Sequence, residues 1–126
     1  MKSIDPLLDR VYDEDNYHCV HFVIESGQYL FGYDFTHCFL GMTGSLNAEV
    51  QTSRHTVANS KRTQSPKDGT VVLMTNLTGR LHVGLYYCGQ VLHLSAQGPR
   101  FQTLRTLNRL YKRIRFYDAK DFLQRA

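Results

Sequence analysis

The sequence predicts an α+β fold, with N-terminal helices packed on an antiparallel sheet drawn from the C-terminal half of the chain. Three observations predict it. Val20, Val23, Ile24, Gly27, Leu30 and Phe31 recur at helical spacing, giving a helix over about residues 17–31 with Gly32 as its stop. Between Gly69 and Gln97 come three apolar runs, Val71–Met74, Leu81–Tyr87 and Gln90–Leu94, separated by Asn76-Leu77-Thr78-Gly79 and by Cys88-Gly89. Finally, 126 residues with 42% apolar and 21% charged side chains suit a single globular domain over residues 1–126.

Taken in order, Ile4, Leu7, Leu8 and Val11 fall on one helical face with Pro6 in the first turn, which predicts a short helix Ile4–Tyr12. Asp13 to Asn16 form a polar break, with Asp15 or Asn16 as the cap of the long helix. A helix Phe35–Met42 would place Cys38 on its apolar side, and a weak helix is expected over Asn47–Asn59. Ala58–Gly69 reads as a polar connection that ends in the turn Pro66-Lys67-Asp68-Gly69. After the three strands, Gly98-Pro99 leads into a short strand Arg100–Gln102. Thr103 caps a helix through Lys112, with Leu104, Leu107, Leu110 and Tyr111 inward. Ile114–Tyr117 reads as the last strand and Ala119–Arg125 as a terminal helical turn.

Histidine is unusual in a buried strand unless it has a partner, yet His82 and His93 both fall inside strand runs. A two-residue loop at Cys88-Gly89 pairs Tyr87 with Gln90, sets Gly84 opposite His93, and sets His82 opposite Ser95. The two histidines then share a face as diagonal neighbours, about 7–8 Å apart at the backbone. A three-residue loop would send them to opposite faces. Gly84 leaves that face open to a further group. Cys19 lies in the first turn of the long helix, where unsatisfied N–H groups and the helix dipole favour a thiolate. Cys19, His82 and His93 can thus supply a nucleophile, an imidazole and an orienting partner. Cys38 reads as a small buried side chain and Cys88 as a turn residue.

Composition narrows the class further. Three cysteines, without paired spacing, argue against a disulfide framework. No transmembrane run is present, and the start lacks a signal-type apolar stretch, so synthesis in a cytoplasm is expected. A net charge of +4 and a pI near 9.1 permit an anionic partner without demanding one. His18, Cys19, His21, His82 and His93 do not match a familiar zinc-ligand spacing, so no metal is expected. Arg100, Arg105, Arg109, Lys112, Arg113 and Arg115, with Phe101 and Tyr111 between them, are better explained by a solvated face and core spacing than by nucleic-acid binding.

A cysteine at a helix N-terminus, a histidine in a strand reading HVGLY and a polar residue in the next strand together resemble the NlpC-type cell-wall peptidases of the papain-like cysteine peptidase superfamily. The likeness covers most of the chain: the cysteine helix, GTVVLM after a turn, HVGLYYCGQVLH and the closing IRFYD. It is greatest to the stand-alone members encoded with the tails of bacteriophages and related particles. The resemblance implies a papain-like fold with Cys19 as nucleophile, His82 as general base and His93 as the residue that orients it. It also implies the Cys19 N–H as an oxyanion donor and a supporting tyrosine, Tyr12 ahead of Tyr17. No cofactor is implied. The expected activity is hydrolysis of peptide bonds in peptidoglycan stem peptides, without a membrane partner. Tail proteins are the further partner, and the virion tail or the cell wall the place of action. The alternative is a catalytically silent module in tail assembly or the tail tip. One departure stands out: His18-Cys19-Val20-His21 replaces the Asp-Cys-Ser-Gly of many members, so larger side chains stand where small ones leave room for substrate. Cys-Val-His-Phe-Val is also similar to the Asn-Cys-Glu-His-Phe-Val motif of lecithin retinol acyltransferase relatives, where the histidine precedes the cysteine.

Overall fold

The long helix forms as α1, Cys19–Phe31, in a computed structural model that describes residues 2–36, 61–118 and 124–125. Its buried side chains include Val20, Phe22, Val23 and Leu30, while Ile24 and Phe31 pack at the margin of the same core. Each apolar side chain fully buried in this way is worth about 1.5–3 kcal/mol over an exposed one. That burial, more than intrinsic propensity, holds a helix containing three β-branched residues. Gly32 ends it in the left-handed conformation at φ 70°, with its N–H on the Gln28 carbonyl at 3.0 Å.

The chain before α1 departs from the sequence reading. In place of a helix Ile4–Tyr12 there is one 3-10 turn, Asp5–Leu7. Ile4 and Leu7 reach the core, but Leu8 is 44% and Val11 77% exposed, so a longer helix would bury little more. Arg10 instead donates through Nε and Nη2 to Glu25 on α1, at 2.9 and 2.7 Å, fixing the segment against the helix. Asp13 and Tyr17 close a turn on each other, so neither Asp15 nor Asn16 caps α1; His18 does.

Six strands form one antiparallel sheet: β2 (Lys61–Thr63), β3 (Val71–Asn76), β4 (Leu81–Tyr87), β5 (Gln90–Ser95), β6 (Gly98–Gln102) and β7 (Tyr111–Asp118). Their order across the sheet is β2-β7-β3-β4-β5-β6, and β1 (Tyr33–Asp34) pairs separately with β8 (Gln124–Arg125). With α2 (Leu104–Leu110), this is an α+β architecture of two α-helices and a six-stranded antiparallel sheet among the described residues. Alternation along the strands makes two cores. Val71, Leu73, Val83, Leu85, Leu92 and Leu94 join α1, whereas Val72, Met74 and Val91 pack with Leu107 of α2. None of the described helices is long and apolar enough to cross a membrane.

The β4–β5 hairpin has the expected register, with Tyr87 opposite Gln90 and Gly84 opposite His93. Cys88 and Gly89 both take positive φ, 51° and 80°, as a two-residue type I′ loop requires. The ladder ends at Gly84–His93, short of the expected pair between His82 and Ser95.

Other boundaries move. β2 arises inside the stretch read as a polar connection, held by backbone pairing with β7 while Lys61 and Arg62 remain exposed. The strand expected at Arg100–Gln102 begins two residues earlier: Ala96-Gln97 make the loop, Ser95 pairs with Gly98, and Pro99 lies on the edge strand β6, where its missing N–H can face solvent. Thr103 caps α2 as predicted, its Oγ1 accepting from the Thr106 N–H at 3.2 Å. The helix stops before Lys112 because Tyr111 is already extended and enters β7 beside β3, leaving Leu110 50% exposed. Gln124–Arg125 are strand, not helix. Residues 37–42 of the expected helix Phe35–Met42, with Cys38, and all of Asn47–Asn59 lie outside the described residues, as do residues 119–123.

A Cβ on Gly27 would fall 2.2 Å from Cδ2 of the buried Phe35 ring. Gly27→Ala is therefore expected to lower unfolding stability by about 1–3 kcal/mol. Urea denaturation checks this, and an unchanged midpoint would contradict the packing of α1 on Phe35.

Candidate active site

The N-terminus of α1 is built by two histidines. His18 Nδ1 accepts from the Val20 N–H at 3.3 Å, and the His18 N–H donates to His21 Nδ1 at 3.1 Å. This is a reciprocal capping box in which imidazole lone pairs take the places usual for Ser or Thr and Glu or Gln. Both rings must be neutral at Nδ1 to serve, and burial pushes the His21 pKa down. The box sets Cys19 at the first helical position, 6% exposed.

On the sheet, His82 Nε2 lies 2.9 Å from His93 Nδ1, with the ring planes 81° apart. His93 Nε2 lies 2.7 Å from Oε1 of Gln102. Register explains the row. His93 stands between Gly84 on β4 and Arg100 on β6; His82 comes two residues before Gly84, and Gln102 two after Arg100. The three side chains therefore cross three strands along one diagonal. A Cβ at Gly84 would meet Val91 Cγ1 at 2.7 Å and His93 Cβ at 3.1 Å. The space over Gly84 is thus filled by its cross-strand neighbours, not left open to a further group as the sequence suggested. Tyr111 closes the row from the side, its ring parallel to His82 at 6.2 Å.

Electrostatics keep the row neutral. Burial, then the neighbouring His93 and His18, push the His82 pKa down to about 3. His93 is also lowered, chiefly by burial and further by the Arg100 charge, against an opposing pull from its bond to Gln102. Burial and the nearby Cys19 raise the Tyr111 hydroxyl.

A cleft of about 400 Å³ brings together Cys19, His82, His93 and Tyr12. The three residues singled out in the sequence and the first of the two tyrosines therefore line one cavity. Tyr17 serves elsewhere: its hydroxyl donates to Glu25 and its ring stacks on His21. Cys19 arrives from the α1 side, whereas His82 and His93 share the face with Val91; the cleft joins them where the β4–β5 ladder ends.

Gln102, Tyr111 and Arg100 also line the cleft and are absent from the sequence-based site. A two-residue loop at Ala96-Gln97, by analogy with Cys88-Gly89, would place Arg100 opposite His93 and Gln102 on its face. No group of three or more His, Cys, Asp or Glu among the described residues is placed to hold a metal. His18 and His21 each spend Nδ1 on a backbone N–H, and His82 and His93 turn nitrogens on each other.

Neither a scan against protein-family models nor a search of curated proteins finds a match to the chain. The functional reading therefore stands on the residues, their geometry and the sequence resemblance.

The depressed histidines make folding pH-dependent. Unfolded, His82 and His93 take up protons as pH falls through about 6.5; folded, they resist until lower pH. Their contribution is present above 6.5 and is lost on acidification, by on the order of 1 kcal/mol per pH unit for a strongly shifted group. Denaturation midpoints should fall between pH 7.5 and 5, and His82→Gln should flatten the slope. A pH-independent midpoint would contradict the burial of these rings.

Proposed function

We propose that this chain is a papain-like cysteine peptidase or amidase of NlpC type, cutting peptide bonds in peptidoglycan stem peptides and associated with a bacteriophage tail or related particle. The observation that carries the chemistry is Cys19, at the first position of α1, sharing a cleft with the His82–His93 pair. The tail association is carried by the sequence resemblance.

With Nε2 of His82 engaged by His93, Nδ1 is the nitrogen left to take the Cys19 thiol proton. The sulfur attacks the amide carbonyl, and the Cys19 N–H at the helix start meets the oxyanion. His82 then returns the proton to the leaving amine as the C–N bond breaks. Water, deprotonated by His82, hydrolyses the thioester and frees the thiol. An imidazole whose pKa is pushed down by burial is a weaker base, and its conjugate acid a stronger one. Thiolate formation is therefore the demanding step, and protonation of the leaving amine the easy one. His93 holds the ring but, being neutral, does not offset its positive charge as a carboxylate would. Among the described residues, the cleft lining includes Arg80 and Arg100 and no Asp or Glu, which suits a substrate with free carboxylates such as a stem peptide.

One observation favours a second reading, a silent module in tail assembly or the tail tip. Cys19 is only 6% exposed, and Val20 and His21 stand where small residues would admit substrate. Incubation of the purified protein with peptidoglycan fragments separates the two. Cys19→Ala and His82→Ala should each lower fragment release by about 10²–10⁴-fold, and His93→Ala by less, about tenfold. Release that does not depend on Cys19 would exclude the cysteine mechanism, and no release by the folded native protein would select the structural role.

A further inference from the structure

Gln102 stands outside the cysteine–histidine trio yet ends its hydrogen-bonded row. Its Oε1 lies 2.7 Å from His93 Nε2, and a carbonyl oxygen can only accept. His93 Nε2 therefore carries the hydrogen and donates, which leaves a bare lone pair at His93 Nδ1. That lone pair, 2.9 Å from His82 Nε2, accepts in turn. His82 then holds its hydrogen on Nε2 and is bare at Nδ1. We infer that Gln102 is the positioning residue of this site: its carbonyl sets the tautomer of His93 and, through His93, that of His82. The tautomers follow from the contacts alone; their use rests on the peptidase reading, which needs an unprotonated His82 Nδ1 to receive the Cys19 proton.

The opposite orientation of the Gln102 amide shows what is at stake. An amide N–H turned toward His93 would reverse every bond in the row and place hydrogen on His82 Nδ1. An imidazole so protonated cannot accept from a thiol. One side-chain carbonyl two strands away thus decides whether the base is competent. The backbone that presents it is held on both sides: Gln102 pairs with Val91 across β5–β6, and the next residue, Thr103, caps α2. Arg100, opposite His93 on the same strand, disfavours a charged ring. A glutamine fits this setting because it fixes orientation while its pull toward a charged ring is outweighed by burial and the Arg100 charge. A carboxylate at the same place would pull His93 toward the charged form.

Long-range ¹H–¹⁵N correlation of the imidazole nitrogens tests the assignment directly. In the native protein, His82 and His93 should each give the single Nε2–H pattern. Gln102→Leu, which removes the acceptor, should convert both rings to mixed tautomers. Gln102→Glu, which keeps an acceptor, should retain Nε2–H on His93 and raise the pH at which that ring titrates. Backbone amide dispersion reports whether each variant is folded. Nδ1–H on either native ring, or an unchanged pattern in folded Gln102→Leu, would overturn the assignment. In turnover, Gln102→Leu should lower kcat by about tenfold with KM within about twofold. Single Nε2–H tautomers in a native protein that cleaves no stem peptide would uphold the role of Gln102 and remove the peptidase reading.

Discussion

The register of the β4–β5 hairpin fixes where both histidines lie, since a slip of one residue would send them to opposite faces of the sheet. The positive φ angles of Cys88 and Gly89 hold that register from the loop. Gly84 holds it from within, because no Cβ fits between Val91 and His93. The 2.9 Å contact between the rings follows from these constraints, and the continuation to Gln102 repeats the same diagonal step across the next pair of strands. Ending the ladder at Gly84–His93 has a second effect. It opens the sheet where the N-terminus of α1 delivers Cys19 to the same cleft.

Neutrality is the other theme of the site. His18 and His21 cap α1 through lone pairs, and His82 and His93 are held below the usual imidazole range. An imidazole held this way resists becoming the charged half of an ion pair. Hydrogen-bond direction then matters more than charge, which is why an uncharged side chain can govern the row. The same neutrality ties the site to the fold, because protons taken up by these rings weaken both.

Much of this was legible in the sequence. The spacing from Val20 to Phe31 gave α1, and the Cys88-Gly89 loop gave the pairing of Gly84 with His93 and the shared face of the two histidines. Cys19, His82 and His93 were named from their places on a helix start and in strands, and Tyr12 from the resemblance; the structure places all four around one cleft. What escaped depends on tertiary pairing. Tyr111 and Lys112 continue a helical pattern locally but gain a strand partner in β3. Lys61–Thr63 carry no apolar alternation and become strand only because β7 lies beside them. Starting the edge strand at Arg100, with no hairpin loop assigned at Ala96-Gln97, hid the facing of Arg100 and His93, and with it Gln102. Asp15 and Asn16 are better caps than histidine by propensity, but the Asp13–Tyr17 turn uses that segment before the helix begins.

The most direct test of the central claim is the rate at which iodoacetamide labels Cys19 at pH 7, read by peptide mapping in the native protein and in His82→Ala. If His82 activates the thiol, Cys19 labels at least about tenfold faster in the native protein than in the variant, and faster than Cys38 or Cys88. Equal rates in the two proteins, or a Cys19 that reacts in neither, would contradict the activated pair and leave the cleft without its nucleophile.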